Sequence, residues 1–226
     1  MKGKVALVTG STSGIGRGIA EHFASLGARV VIHGRRIESG EPIVRALRDA
    51  GHDAVCLAGD LQHEEACRAL VRDTVSHFGR LDILVNNAAL TTRASIADAT
   101  AETWDRIMAV NLRAPFLLIR ESVPVMRREG GGSIVNIGSI NAYIGQDNLG
   151  PYSVSKGGLM TLTKNAALAL RRDRIRVNQL NVGWTLTEGE RRVKREEEGL
   201  GPEWLAEAEA GRPFGRLLLP QDVAYA

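Results

Sequence analysis

Apolar residues arrive in this chain as short unbroken runs separated by longer amphipathic stretches. Val5-Ala6-Leu7-Val8, Val30-Val31-Ile32, Ala54-Val55-Cys56-Leu57 and Ile83-Leu84-Val85 each end within two residues of a glycine or an asparagine. Runs of this length, continuous and not alternating, predict strands buried on both faces. Between them, residues 17–26, 43–50 and 64–78 carry apolar positions at helical spacing, with Gly27, Gly51 and Gly79 at or just past the ends. Pro42 is expected in the first turn of the second helix. The second half repeats the pattern. A long helix over 103–128 is disturbed by Pro115 and ended by Gly130-Gly131-Gly132, and a strand over 133–137, a helix over 152–171 and a strand over 175–180 follow.

This β-α alternation predicts an α/β fold: a doubly wound parallel sheet of Rossmann type, helices on both faces, in one domain over 1–226. Residues 184–213 break the rhythm, and so long a connection is expected to act as a lid. Composition leaves this picture intact. The chain has 226 residues, 44% hydrophobic and 24% charged, with net charge +3. Its densest charge run, 190–198, mixes both signs and reads as a solvated helix face, not as a nucleic-acid patch. Cys56 and Cys67 have no Cys-x-x-Cys or histidine cluster beside them, so no metal is expected and both read as buried free thiols. The N-terminal apolar run is too short for a signal peptide or a membrane span, and a cytoplasmic protein is expected.

In a doubly wound sheet, ligands bind beyond the C-terminal ends of the strands. The first strand here ends in Gly10-Ser11-Thr12-Ser13-Gly14-Ile15-Gly16 and enters a helix, so glycines and a helix N-terminus can receive a pyrophosphate. The second ends at Gly34-Arg35-Arg36. A carboxylate usually accepts from the ribose hydroxyls of NAD at this position; here arginine can bind a 2′-phosphate, so NADP is expected ahead of NAD. The other ends deliver Asp60-Leu61, Asn87-Ala88, Gly138-Ser139 and Asn181-Val182-Gly183. Tyr152 and Lys156, four apart, share a helix face. An ammonium close to a phenol lowers the phenol pKa from about 10, so a tyrosine placed this way can move protons near neutral pH.

With these residues together, the chain resembles the short-chain dehydrogenase/reductase family. Thr9-Gly10-x3-Gly14-Ile15-Gly16, Asp60, Asn86-Asn87-Ala88, Asn111, Ser139 and Tyr152-x3-Lys156 stand in that family's order and approximate spacing. The resemblance implies that Tyr152 is the general acid and base, that Lys156 tunes it and binds the nicotinamide ribose, and that Ser139 orients the substrate oxygen. It implies a water held by Asn111 on a proton path from Lys156, and contacts from Gly183, Thr185 and Thr187 to the nicotinamide end. It also implies a homo-oligomer, tetramer or dimer. Three departures stand out: Ala89 and Val182 replace a glycine and a proline, and the family's last helix, seventh strand and glycine-rich end are missing, which reads as truncation.

The substrate pocket is expected between the catalytic residues, the loop 140–151 and the lid. Asn141 and Asn148 make that loop polar and Trp184 and Trp204 supply walls, so a small polar alcohol or carbonyl compound is expected: a sugar, polyol or hydroxy acid. Arg93 could bind an anion, but a lone loop arginine reads as solvated. The competing readings are a reductase of hydrophobic ketones or ketoacyl groups, and a dinucleotide-binding sensor or scaffold without catalysis.

Overall fold

The strand runs found in the sequence pair into one parallel sheet of six strands. The computed structural model describes residues 1–226. Its strands are β1 (Val5–Val8), β2 (Arg29–Gly34), β3 (Ala54–Ala58), β4 (Ile83–Asn86), β5 (Gly132–Ser139) and β6 (Ile175–Val182). They lie side by side in the order β3-β2-β1-β4-β5-β6. The order reverses between β1 and β4, the switch point where a doubly wound sheet opens a crevice at its C-terminal edge.

Both sheet faces are dry, as continuous apolar runs require. On one face Leu7, Val31, Leu84, Ile134 and Val177 pack against α3 (Glu64–Phe78), α5 (Ala114–Arg128) and α6 (Gly150–Leu170). On the other, Val8, Ile32, Val85 and Ile137 pack with residues of α1 (Gly14–Ser25), α2 (Ile37–Asp49) and α9 (Pro220–Tyr225). Cys56 and Cys67 are buried and free, and burial, the largest influence, pushes the Cys67 thiol up to about 11. No helix is long and apolar enough to cross a membrane.

Three expectations need correction. Helix α2 begins at Ile37, six residues early, and Pro42 sits inside it. The residues before the proline are mostly exposed, so the carbonyl that Pro42 cannot serve faces water. The long helix is three pieces: α4 (Ala101–Met108), a π-helical turn (Ala109–Arg113) and α5. The Ala114 N–H reaches back five residues to the Ala109 carbonyl, so the irregularity precedes Pro115 and is centred on Asn111. Strand β6 runs on through Val182, which pairs with Ser139 in the ladder. The 184–213 segment folds into α7 (Glu188–Arg192), a π turn (Val193–Glu197) and α8 (Trp204–Ala210), and Thr185 bridges Leu218 at its base.

Candidate active site

A cleft of about 770 Å³ opens along the C-terminal edge of the sheet. Its walls carry Gly10, Ser13, Gly14, Ile15, Arg35, Asp60, Leu61, Asn87 and Ala88 towards one side and Ser139, Asn141, Tyr152, Lys156, Gly183, Trp184, Thr185 and Thr187 towards the other. Most residues picked from the sequence therefore meet in one place. Four do not line it: Ser11, Gly16, Asn111 and Asn148.

Each of the four has its own reason. Ser11 is fully buried; its hydroxyl donates to the Val8 carbonyl at 2.7 Å and accepts from the His33 N–H at 2.9 Å, locking β1 to β2. Gly16 makes room beneath the turn, since a Cβ there would lie 2.4 Å from Asn87 Nδ2 and 2.5 Å from the Gly10 carbonyl oxygen. Asn148 is exposed, and its carbonyl accepts from the Ala94 N–H. Asn111 is buried in the π turn. Its side chain accepts from the Leu90 N–H at 2.7 Å and donates to the Leu90 carbonyl at 2.9 Å and to Ser155 Oγ at 3.1 Å. It thereby ties the loop after β4 to the helix that carries Tyr152 and Lys156.

The glycine-rich turn fits a dinucleotide phosphate on its own geometry. Gly10 and Gly14 hold positive φ, and a Cβ on Gly10 would collide with Ala88 at 2.9 Å. Helix α1 starts with no side-chain cap and no acidic residue in its first turn, which leaves its amide groups to a ligand anion. Asn87 braces the turn by donating to the Thr9 and Gly10 carbonyls at 2.8 and 3.1 Å. At Gly34 a Cβ would sit 2.6 Å from the Thr12 methyl, so Thr12 fills the space a side chain at position 34 would need. Arg35 lines the cleft directly beyond.

His33 is a supporting residue that the sequence reading passed over. Its ring is buried, with Nδ1 accepting from the Gly10 N–H at 3.2 Å and Nε2 3.1 Å from the Gly59 carbonyl. Burial, outweighing its hydrogen bond to Gly59, lowers its pKa to about 4. The only advance signal was its place between an apolar run and Gly34.

At the other side, Lys156 is buried and donates to the Ile137 carbonyl at 2.7 Å, with Nζ 5.6 Å from the Tyr152 ring centre. Burial lowers its pKa to about 8. The expected depression of Tyr152 is not found. Burial, the largest influence, raises the phenol pKa, with Ser139 and Arg93 pulling it down and Glu190 adding to the rise. Removal from water outweighs the favourable neighbours, and Lys156 is not among the groups that pull the phenol down. Ser139 itself is buried, and its hydroxyl accepts from the Asn141 N–H at 3.2 Å. Trp184 donates from Nε1 to Glu190 at 2.8 Å and stacks on Trp204, which is buried behind it.

Residues 4–198 match the family model described as short chain dehydrogenase. A protein of Thermotoga maritima described as an uncharacterized oxidoreductase is 38% identical over 226 residues, spanning 100% of this chain and 87% of its own. The crystal structure of an actinorhodin polyketide ketoreductase variant with NADPH superposes with a TM-score of 0.92 at 33% identity, over 98% of this chain and 87% of that one. A Beutenbergia cavernae protein, provisionally described as an NAD(P) dependent gluconate 5-dehydrogenase and carrying NADP at low occupancy, has a TM-score of 0.89 at 31% identity, over 99% of this chain and 87% of that one.

Proposed function

The chain belongs to the short-chain dehydrogenase family, and from that premise we propose an NADP-dependent oxidoreductase acting on a small polar alcohol/carbonyl pair, with Tyr152 as the proton-transferring group. One observation carries the reading. Tyr152, Lys156 and Ser139 stand in the same cleft as an uncapped helix N-terminus behind a glycine turn. A bound nicotinamide supplies the hydride chemistry; the protein's part is to bind, orient and move the proton.

The phenol of Tyr152, held protonated by burial, gives its proton to a carbonyl oxygen in reduction and must lose it before serving as a base in oxidation. The Ser139 hydroxyl steadies the charge that develops on the same oxygen. Lys156 grips the ribose hydroxyls and keeps positive charge near the phenol. Asn111 positions the loop at Leu90 against α6, and the water path from Lys156 is assigned to its neighbourhood. Gly10, Ser13, Gly14 and Ile15 receive the phosphates, with Ser11 and Gly16 setting the turn from behind. Asp60, Leu61, Asn87 and Ala88 flank the adenosine half. Gly183, Thr185 and Thr187 flank the nicotinamide, and Asn141 and Trp184 face the substrate.

Arg35 and the filled space at Gly34 support NADP over NAD, in keeping with the NADPH and NADP carried by two similar structures. The similar protein described as a gluconate 5-dehydrogenase supports a polyhydroxy substrate. A cytoplasmic homo-oligomer completes the reading. Initial rates with NADPH and NADH against a panel of ketones, sugars and hydroxy acids test it. Turnover with NADPH is expected; no oxidation or reduction of any member overturns it.

A further inference from the structure

Arg93 stands in the loop after β4, on the cleft wall, with its side chain only 21% exposed. Three groups surround its guanidinium, all at a distance. Nη2 is 3.6 Å from Glu190, Nε is 3.4 Å from Glu198, and Nη1 is 3.3 Å from the Thr91 carbonyl. Charge-assisted bonds are ordinarily about 2.7–2.9 Å long. Both carboxylates have tighter partners of their own. Trp184 Nε1 holds Glu190 at 2.8 Å and Lys194 Nζ holds Glu198 at 2.6 Å. A planar fork of donors, mostly withdrawn from water, thus has only long ion pairs, each to a carboxylate that another donor holds more tightly.

The surrounding charge is mixed, with cations in excess. Apart from Lys156 and the β2 and β3 ends, the cleft is lined by the cations Arg93, Arg106, Arg192, Lys194 and Arg212 and the carboxylate Glu190, with Glu198 beside Arg93 and Lys194. Lys194 and Arg212 lie 5.0 and 5.1 Å from the Trp184 ring centre, which fixes two of these charges on the lid. Arg93 also lies within electrostatic reach of the Tyr152 phenol. An acid group on the substrate would therefore meet the fork while its reacting carbon faces the tyrosine. Glu190 and Glu198 oppose it, and the five cations outnumber these two carboxylates.

We propose that Arg93 reads a carboxylate on the substrate, so that this enzyme acts on hydroxy or oxo acids in preference to neutral sugars and polyols. The proposal rests on the oxidoreductase reading of the same cleft. Binding an acid replaces the long contacts to Glu190 and Glu198 by a bidentate pair, for which arginine, and not lysine, has the geometry.

The test uses matched pairs with the enzyme loaded with oxidised NADP: gluconate and sorbitol, hydroxybutyrate and its amide, hydroxycyclohexanecarboxylate and its amide. Calorimetry reads binding. The acids are expected to bind about tenfold or more tighter than their neutral partners, with that ratio falling to about threefold or less in Arg93→Gln and lying between the two in Arg93→Lys. Equal binding of acids and neutrals, no binding by any acid, or a ratio that survives in Arg93→Gln overturns the proposal. Turnover is read separately. Acids that bind through Arg93 with no hydride transfer to the cofactor keep the assignment of Arg93 and overturn the oxidoreductase reading instead.

Discussion

Taking the protein from pH 7 to pH 5 should loosen it at one buried ring. His33 is 2% exposed, and its two nitrogens meet a donor, the Gly10 N–H, and an acceptor, the Gly59 carbonyl. A carbonyl only accepts, so Nε2 carries the hydrogen and Nδ1 is bare, the neutral tautomer. A second proton would set Nδ1–H against the Gly10 N–H, at the turn that receives the phosphates. Burial depresses the folded-state pKa from 6.5 to about 4. Between those values the unfolded chain binds more protons than the folded one, so stability falls as pH falls through the window. Linkage over pH 7 to pH 5 gives a loss of about 2 kcal/mol from this ring alone, out of a full displacement worth about 3 kcal/mol. Asp82 and Asp222, both held near 2, titrate below this range. Urea unfolding at both pH values, with wild type and His33→Gln, isolates the effect. The variant starts less stable, because it loses the fitted pair of hydrogen bonds, but it lacks this pH dependence. Wild type should lose about 2 kcal/mol more than the variant across the two pH values. Equal losses would refute the buried neutral imidazole.

Other changes probe the cofactor and the proton. Arg35→Ala should weaken NADPH binding by about tenfold or more, the usual scale of one charge-assisted contact, and NADH binding by less than about twofold; calorimetry checks both, and equal losses remove the 2′-phosphate assignment. Gly16→Ala puts a methyl 2.4 Å from Asn87 Nδ2 and 2.5 Å from the Gly10 oxygen, so a loss of about 1–3 kcal/mol in urea unfolding and a weaker hold on NADPH should appear together. Because burial raises the Tyr152 pKa and lowers that of Lys156 to about 8, kcat/KM for alcohol oxidation should climb with pH up to about 8 and level off as Lys156 loses its charge, while that for reduction stays level below pH 8 and falls above it. A flat oxidation profile would contradict the phenol as base.

The sheet was legible in the sequence because a buried parallel strand has to be apolar on both faces, and Val5-Ala6-Leu7-Val8 is buried throughout. The cleft was legible for a related reason. Parallel strands deliver all their C-terminal ends to one edge, so Gly10, Arg35, Asp60, Asn87, Ser139 and Gly183 converge whatever the intervening helices do. What stayed hidden depends on partners far away in the chain. The π turn at Asn111 goes with side-chain bonds to Leu90 and Ser155, which leave no period to read. Arg93 looked solvated because one carboxylate that shelters it, Glu198, lies 105 residues on. The direction of the Tyr152 shift was misjudged because spacing reports a neighbouring charge but not how much water the fold removes. The early start of α2 was missed because its first residues, Ile37, Glu38 and Ser39, are exposed and carry no apolar stripe.

Removing one oxygen atom tests the central claim most directly. Tyr152→Phe keeps the ring beside Lys156 and takes away the proton. Rates of NADPH oxidation with a carbonyl substrate, measured beside the NADPH dissociation constant, should show kcat/KM down by about a thousandfold, within the usual span for a general acid, and binding changed by less than about threefold. A variant that binds NADPH normally and keeps more than about a tenth of the wild-type rate would contradict Tyr152 as the proton donor.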